Sequence, residues 1–368
     1  MSRDAMAERG MSSMSETMRA ARWHGRHDVR VEEVPVPEPQ PDQALVAVEW
    51  CGICGTDLEE YKEGPVSIPV GEPHPLTGRK APVTLGPEIV GRVVEPARDG
   101  SGPPEGARVI PDVVLGCGEC YWCRRHQEGL CVRHVVVGLH TDGGLAEYVA
   151  STARTCVPVP EALDADVAAL AEPTSVAVRA LNKAPRPVGS SLLVIGAGTI
   201  GLLVVQVARV SGFGNIVAVD TNERRRDLAL RLGADFAPAP KEVEEVLQEA
   251  TGGIGPDVVV ECSGVQGLPC KAIRLSRRGG TTVLVGIHQH DEPFDLLEAV
   301  LHEKHIVGSA AHLWDEDVAV AVDLMARGHV DGRPLITTRV PLEEIVEEGF
   351  EVLGASADVL KVLVESHF

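Results

Sequence analysis

The stretch Leu192-Leu-Val-Ile-Gly-Ala-Gly-Thr-Ile-Gly201 decides the fold of the second half of this 368-residue chain. The continuous apolar run at its start is typical of a strand that is buried on both faces of a parallel sheet. Three glycines then follow at the spacing Gly-x-Gly-x-x-Gly, and a helical pattern continues to about Val210. Because the strand, the glycine turn and the helix occur in this order, the stretch predicts a dinucleotide-binding unit.

Each residue of the turn has a predicted task at the phosphates of the dinucleotide. Gly196 makes the tight turn, Gly198 lets the pyrophosphate approach the backbone, and Gly201 lets the helix pack close to the strand. Thr199 and Ile200 lie at the start of the helix, where free N–H groups bind phosphate. These five residues are therefore predicted to bind the cofactor.

Asp220 closes the next apolar run, nineteen residues after the last glycine. A carboxylate at this position accepts hydrogen bonds from the adenine ribose hydroxyls and repels a 2′-phosphate, so the sequence favours NAD(H) over NADP(H). Arg224, Arg225 and Arg226 allow two interpretations, either a solvated helix face or a contact to that phosphate. Arg225 is kept as a candidate cofactor residue.

The pattern on either side of this unit predicts an α/β protein with two domains. Strands alternate with helices up to about residue 310, which predicts a doubly wound parallel sheet. Before the unit, short apolar or alternating strands separated by prolines predict a β-rich domain with long loops. The expected divisions are a disordered N-terminal extension over 1–17, a catalytic domain over 18–173 and 311–368, and a dinucleotide-binding domain over 174–310.

Composition limits the partners of the chain. The formal net charge of −20 argues against binding to nucleic acid or to anionic membranes. No apolar run of about 18 residues occurs, which predicts no membrane span, and the polar N-terminus lacks the apolar core of a signal peptide. We therefore expect a cytoplasmic protein whose nine cysteines are reduced, as metal ligands or buried thiols.

Four of the cysteines lie in one short segment, at Cys117, Cys120, Cys123 and Cys131. Thiolates at this spacing suit a tetrahedral Zn²⁺, which takes four sulfur ligands at about 2.3 Å. A closed shell of four sulfurs leaves no open position, so this metal would hold a loop and perform no chemistry. Two disulfides or an iron–sulfur cluster are the alternatives.

A cysteine-rich segment inside a β-rich domain, followed by a dinucleotide unit, resembles the zinc-containing medium-chain alcohol dehydrogenases. The closest branch is that of the polyol, 2,3-butanediol and threonine dehydrogenases, and the resemblance covers nearly all of residues 18–368. Its specific motifs are Cys51-Gly-Ile-Cys-Gly-Thr-Asp57, His74-Pro-Leu-Thr-Gly78, Leu85-Gly-Pro-Glu88, Gly143-Gly-Leu-Ala-Glu-Tyr148 and Ala171-Glu-Pro-Thr174. The resemblance implies a GroES-like catalytic domain, a Rossmann domain, and hydride transfer between NAD(H) and a small secondary alcohol, vicinal diol or polyol, or its ketone.

The same resemblance implies a second zinc that binds the substrate oxygen in the cleft between the domains. Cys54 would be its first ligand, and Glu88 and Glu172 would supply carboxylates at or near the metal. The hydroxyl of Thr56 would relay the alcohol proton, and Asp57 would contact the metal ligands without binding the metal itself.

Further contacts follow from the resemblance. Thr174 and Val178 would flank the nicotinamide, and Lys361 would reach the pyrophosphate, with a surface lysine as the other interpretation. Relatives assemble through the sheet of the cofactor domain, which implies a homodimer or homotetramer.

One motif departs from the family pattern at the predicted second zinc. The family phrase is Gly-His-Glu, and its histidine is a zinc ligand, whereas this chain has Gly86-Pro87-Glu88. Proline has no side-chain atom that binds a metal. A histidine that relatives use to pass the proton outward is also replaced, by Glu59.

Three hypotheses are open for this site. Zinc could bind through Cys54, Glu88 and Glu172 with water. Alternatively, His74 or His140 could fill the gap, or the catalytic metal could be absent. Without the metal, the chain would be a reductase of a carbonyl or activated double bond, and a catalytically inactive cofactor-binding protein is the alternative of another class.

Five later histidines are expected to be paired or solvated side chains rather than a metal tract, namely His288, His290, His302, His305 and His312.

Overall fold

The structure is a computed structural model that describes residues 16–185 and 188–366. The predicted N-terminal extension therefore lies almost wholly outside the described residues. The described part forms a β-rich domain built from both ends of the chain and a parallel α/β domain between them, which confirms the predicted fold class.

Short strands build the first domain, as the alternating apolar pattern predicts. In chain order they are β1 Thr17–Gly25, β2 Asp28–Pro35, β3 Gln43–Gly52, β4 Val83–Thr84, β5 Glu88–Glu95, β6 Arg108–Ile110, β7 Val114–Leu115, β8 Val135–Val136, β9 Tyr148–Thr152 and β10 Val157–Pro158. The helices of this half are α1 Gly55–Glu63, α2 Ala165–Ala168 and α3 Ala171–Asn182.

Strands and helices alternate in the second domain. The strands are β11 Leu192–Ile195, β12 Ile216–Val219, β13 Val258–Glu261, β14 Thr281–Leu284 and β15 His305–Gly308. The helices are α4 Thr199–Val210, α5 Glu223–Arg231, α6 Val243–Thr251, α7 Leu268–Leu275 and α8 Leu296–Leu301. The strands pair in parallel in the order β12-β11-β13-β14-β15. The chain adds β12 on one side of β11 and then β13, β14 and β15 on the other side. A ligand crevice is expected at the carboxyl ends of β11 and its neighbours, where the direction of strand addition reverses.

The end of the chain returns to the first domain. Its elements are α9 Ala319–Ala326, β16 Ile336–Pro341, α10 Glu351–Ala355 and β17 Lys361–Glu365. A wider π-helical turn over Trp314–Val318 leads into α9. The order β10-β6-β5-β3-β17-β16 describes the main sheet, with β9 also paired to β3. Gly52 of β3 lies opposite Glu88 on one side and Leu363 on the other, so β17 approaches the start of β5.

A shared apolar core joins the two domains. It packs α3 and α4 against β11 and also includes Val90 of β5 and Leu363 of β17. The predicted boundary between residues 173 and 174 falls inside α3, so this helix belongs to the junction of the domains. In the described part of the chain, no helix is long and apolar enough to cross a membrane.

Candidate active site and metal centres

The four clustered cysteines, which we call the lobe cysteines, converge in the structure. The Sγ atoms of Cys117, Cys120, Cys123 and Cys131 all lie within 4.8 Å of one another, and none forms a disulfide. The N–H of Cys123 points to Cys120 Sγ at 3.5 Å, and the N–H of Cys117 points to Cys131 Sγ at 3.4 Å. A hydrogen bond from the backbone of Glu119 is the main cause that lowers the pKa of Cys117 to about 6. Four converging sulfurs with N–H donors suit a thiolate-bound zinc.

The glycine turn after β11 opens onto a cavity at the carboxyl ends of β11 and β12. Gly196 has a φ of 91°, in the left-handed region that favours glycine. A Cβ on Gly201 would lie 1.8 Å from the carbonyl oxygen of Gly196, so only glycine allows this close approach of helix and strand. A Cβ on Gly198 would meet nothing closer than Nη1 of Arg225, at 3.8 Å. Space therefore remains beside Gly198 at the start of α4.

Asp220 anchors the glycine turn and lines the same cavity. Its Oδ2 accepts a hydrogen bond from the N–H of Ala197 at 2.8 Å, and its Oδ1 accepts one from the N–H of Asn222 at 2.8 Å. Nη1 of Arg225 lies 4.0 Å from Asp220 Oδ2, while its Nε donates to the carbonyl of Ala357 at 2.8 Å. The structure thus brings Asp220 and Arg225, two predicted cofactor residues, to one wall of the cavity.

Thr199 and Ile200 connect the start of α4 to the rest of the molecule. The hydroxyl of Thr199 donates to the carbonyl of Leu360 at 2.8 Å, and Ile200 packs against the shared core. Leu360 directly precedes β17, so the glycine turn and the strand that carries Lys361 are held together. Contact of Thr199 and Ile200 with the cofactor stays a prediction.

Three distant segments bring Cys54, Glu88 and Glu172 into one cleft. Cys54 directly precedes α1, Glu88 begins β5, and Glu172 lies in the first turn of α3. The three side chains are close enough for the charges of Glu88 and Glu172 to act on Cys54, and for the charge of Glu172 to act on Glu88. Burial raises the pKa of the Cys54 thiol, and the charges of Glu88, Asp57 and Glu172 raise it further. Without a bound cation the sulfur therefore stays protonated.

Asp57 fixes Cys54 against the turn that precedes β5. Its Oδ2 accepts the N–H of Cys54 at 2.9 Å, and its Oδ1 accepts the N–H of Gly86 at 3.1 Å. Asp57 has no exposed surface, and burial raises its pKa to about 7. Thr56 lies beside it in the first turn of α1 and is partly exposed.

Lys361 is buried in this cleft, so the interpretation as a surface lysine is wrong, and its contact with the pyrophosphate stays a prediction. Its Nζ donates to Glu88 Oε1 at 2.5 Å and to the carbonyl of Ile53 at 3.0 Å. The reason is the strand order, since β17 lies beside β3 and β3 lies beside β5. Burial alone would lower the pKa of Lys361, but Glu88 and Cys54 raise it, so the ammonium stays charged. The other oxygen of Glu88, Oε2, is buried without a hydrogen-bond partner.

The structure adds His312 and Asp112 to the cleft, although the sequence pattern did not point to either. Nε2 of His312 lies 3.1 Å from Asp112 Oδ1, and Nδ1 lies 3.3 Å from Glu172 Oε1. Burial alone would lower the pKa of His312, but its contacts with Asp112 and Glu172 raise it to about 10. The signal in the sequence was weak: His312 follows β15 at the carboxyl edge of the parallel sheet, where ligand-binding loops lie.

His74 and His140, the two histidines considered as replacement ligands, contact each other instead. Their rings stack with centroids 4.7 Å apart, and His134 packs edge-on against His140 at 5.7 Å. Nδ1 of His140 accepts the N–H of Val136 at 3.0 Å. Burial lowers the pKa of His140 to about 4, so its ring is neutral near pH 7. Among the described residues, neither ring belongs to a group of three or more metal-binding side chains whose ligand atoms lie within 4.8 Å of one another.

Thr174 and Val178 lie on the buried face of α3. The hydroxyl of Thr174 donates to the carbonyl of Leu170 at 2.6 Å and faces Sδ of Met325 at 3.5 Å. Both residues are almost inaccessible. The structure shows them in packing contacts, and their contact with the nicotinamide stays a prediction.

Comparison with known proteins gives consistent matches along the chain. Residues 40–161 match the family described as alcohol dehydrogenase GroES-like domain, and residues 199–327 match the family described as zinc-binding dehydrogenase. The chain is 34% identical to (R,R)-butanediol dehydrogenase of Bacillus subtilis over 94% of this chain and 99% of that protein.

Two solved structures have the same fold. A 2R,3R-butanediol dehydrogenase from Bacillus subtilis superposes with a TM-score of 0.88 at 33% identity, covering 95% of this chain and 100% of that one. A zinc-binding dehydrogenase from Sinorhizobium meliloti 1021, bound to NADP, has a TM-score of 0.84 at 31% identity, again with 95% and 100% coverage.

Proposed function

We propose a function from the family to which the chain belongs, the zinc-containing medium-chain alcohol dehydrogenases, in the branch of butanediol, sorbitol and threonine dehydrogenases. The chain transfers hydride between NAD(H) and a small secondary alcohol, vicinal diol or polyol. The observation that carries the proposal is the convergence of Cys54, Glu88 and Glu172 on one cleft. Two adjacent residues link this cleft to the glycine turn. The carbonyl of Leu360 accepts a hydrogen bond from the hydroxyl of Thr199, and the ammonium of the next residue, Lys361, donates a hydrogen bond to Glu88.

The lobe cysteines support a structural zinc, as argued above. The cleft supports a catalytic zinc less directly, because Pro87 offers no ligand and, among the described residues, only the lobe gathers three or more metal-binding atoms within 4.8 Å. The unpartnered Oε2 of Glu88 and the thiol of Cys54 nevertheless leave donors for a cation. When bound by Cys54, Glu88 and Glu172, zinc would lower the pKa of a coordinated alcohol and stabilise the alkoxide.

The residues of the chain divide the remaining work. The N–H groups at the start of α4 bind the pyrophosphate. Asp57 holds Cys54 in place, and Lys361 holds Glu88. Thr56, partly exposed beside Cys54, would pass the alcohol proton outward, and bound NAD⁺ would supply the acceptor for the hydride of the carbinol carbon. Glu59 meets Gln289 from the second domain, a contact that connects the domains across the cleft.

NAD(H) is the cofactor that the cavity supports best. The carboxylate of Asp220 disfavours a 2′-phosphate, although Arg225 beside it offers a positive charge. Both backbone bonds of Asp220 keep its carboxylate at the cavity wall. We therefore expect NAD(H) to be used in preference to NADP(H).

Turnover tests the function directly. We expect the purified protein to reduce NAD⁺ with small vicinal diols or polyols and to oxidise NADH with the matching hydroxyketones, faster than with NADP(H). Thr56→Val should lower kcat about 100-fold, the typical contribution of a proton-transfer group, with little change in NADH affinity. Thr338→Val, on the edge strand β16, is the matched control and should keep wild-type kcat. NADH binding without any turnover across the panel would identify an inactive cofactor-binding protein instead.

A zinc-less reductase of a carbonyl or activated double bond is the second candidate function. Pro87 favours it, and so do two cations already in the cleft, Lys361 beside Glu88 and the imidazole of His312 beside Glu172. In that case a protonated side chain would polarise the substrate carbonyl. Turnover that persists in protein containing only the zinc of the lobe would support this candidate.

We also propose a cytoplasmic homodimer or homotetramer. The free edge of β15 and the exposed apolar helix α8 support the assembly, with Leu296, Leu297, Val300 and Leu301 each 66–72% exposed. Val300→Asp should shift sedimentation toward the monomer, because it places a charge in this apolar face. Ile254→Asp, at a similarly exposed position after α6, is the control and should leave the assembly unchanged. A wild-type monomer would contradict the proposal.

A further inference from the structure

We propose that a second cavity, at the carboxyl ends of β14 and β15, binds the phosphate or carboxylate group of a small molecule. This strand-end cavity has a volume of about 380 Å³ and is lined by Arg179, Lys183 and residues 129–130, 284–287 and 308–310. It shares no lining residue with the cavity at the glycine turn. The proposal goes beyond the proposed function, because it concerns residues to which the hydride transfer described above gives no role.

Ser309 brings a hydroxyl group without a partner to the strand-end cavity. It directly follows β15, and its N–H donates to the carbonyl of Leu284, the last residue of β14, at 2.9 Å. The residue is only 8% exposed, and its Oγ is buried without a hydrogen bond to any described residue. Because an unpaired buried hydroxyl is unfavourable, this Oγ is a donor that a bound anion would satisfy.

Arg179 offers one free edge of its guanidinium group. Its Nη1 donates to Asp317 Oδ2 at 3.0 Å, whereas its Nε is buried without a partner and its Nη2 forms no hydrogen bond with the described residues. Nε and Nη2 lie side by side on the planar group. Two parallel N–H groups of this kind bind a carboxylate or a phosphate through two oxygens at once.

The charge that remains around the strand-end cavity is positive. The ion pair described above compensates the charge of Arg179, but Lys183, directly after α3, is exposed and forms no ion pair with the described residues. Two acids of neighbouring segments, Glu128 and Asp315, both contact His126 instead. The ammonium of Lys183 is therefore available to neutralise an anion that the arginine edge and the serine hydroxyl bind.

Water is the competing occupant of the strand-end cavity. Ordered water molecules also satisfy buried polar groups, and an exposed lysine is stable when it is solvated. A cavity that holds only water shows no saturable binding of an anion. Binding measurements on the whole protein therefore separate the two occupants.

Calorimetric titration with inorganic phosphate tests the proposal, with NADH at a saturating concentration so that phosphate does not bind at the glycine turn. We expect saturable binding to the wild type and a Kd about 10-fold higher in Ser309→Ala and in Arg179→Lys, because each variant loses a charge-assisted hydrogen bond. Arg179→Lys keeps a positive charge beside Asp317 and removes only the planar edge. Lys183→Gln should also weaken binding, with a larger effect at low ionic strength.

Two variants outside the cavity are the matched controls. Thr282→Val removes another buried hydroxyl without a partner, and Lys241→Gln removes another exposed lysine of the same domain. Both should keep the wild-type Kd, and circular dichroism checks that every variant is folded. No phosphate binding to the wild type, or an unchanged Kd in folded Ser309→Ala or Arg179→Lys, would overturn the proposal.

Inhibition of diol oxidation by phosphate identifies the source of the anionic group. Competition with the diol would show that the group belongs to the substrate, which would then be an acidic alcohol, whereas inhibition without competition would indicate a separate effector. In both cases the effect should weaken in Ser309→Ala. The titration itself does not depend on turnover, so phosphate binding by an inactive protein would contradict the proposed function alone, and an active protein that binds no phosphate would contradict this proposal alone.

Discussion

Replacing Cys123 with serine is expected to remove one zinc per chain and to lower the thermal stability of the protein sharply. Cys123 is 9% exposed, and its Sγ lies within 4.8 Å of those of the other three lobe cysteines. The segment has little regular structure of its own, since β7 and β8 around it have two residues each. Structural zinc contributes on the order of 10 kcal/mol to the folding of small cysteine-rich units, so its loss should unfold the lobe.

The control for this prediction is Cys156→Ser, which changes a buried cysteine outside the lobe. Sγ of Cys156 contacts the carbonyl of Thr152 at 3.5 Å, and serine can keep a hydrogen bond there. Zinc content and the melting temperature should both stay close to wild type in this variant. Equal zinc content in Cys123→Ser and wild type would refute the lobe as the metal centre.

The substitution Gly198→Ala, which adds one methyl group, is expected to weaken NADH binding while leaving the folded protein intact. The nearest atom to the added Cβ is Arg225 Nη1 at 3.8 Å, an ordinary van der Waals contact. The same Cβ would project into the space that the pyrophosphate needs beside the start of α4. We expect the Kd for NADH to rise about 10-fold or more, which corresponds to roughly 1.4 kcal/mol of binding free energy.

Two further glycine variants make this test specific. Gly201→Ala places its Cβ 1.8 Å from the carbonyl of Gly196, so it should disturb both stability and NADH binding. Gly25→Ala meets no atom within 4 Å and should change neither. Fluorescence titration with NADH and thermal melting separate these cases. An unchanged Kd in Gly198→Ala would mean that the pyrophosphate binds elsewhere.

The sequence was sufficient to predict the architecture because local patterns determine it. The apolar run of β11 is found as predicted, and the run that ends at Asp220 forms β12 from Ile216. The lobe cysteines were also predictable, since Cys117 and Cys131 are only fourteen positions apart and a short loop can bring them together.

The cleft could not be read from local patterns, because its residues meet only through the sheet and the shared core. Glu88 and Lys361 are 273 positions apart and meet because β5, β3 and β17 are neighbours. His312 and Asp112 are 200 positions apart. The strand order places the ammonium of Lys361 on Glu88, a contact that the sequence did not predict.

The contacts of His312 could not be predicted from the spacing of the histidines in the sequence. It stood among five histidines spread over strand, turn and helix, and the expectation of paired side chains holds for His288, which bonds Glu261 at 2.9 Å. His312 is paired as well, yet its second nitrogen remains unsatisfied and faces Glu172. Only three-dimensional packing distinguishes a fully satisfied histidine from one with a free nitrogen in a cleft.

An anomalous difference map at the zinc edge, from crystals of the wild-type protein with NADH, tests the central claim most directly. The claim is that this chain is a zinc-type alcohol dehydrogenase that binds a second zinc in the cleft although Pro87 offers no ligand. We predict two peaks per chain, one among the four lobe cysteines and one bounded by Cys54, Glu88 and Glu172. A single peak, in the lobe, would contradict the claim and favour a zinc-less reductase.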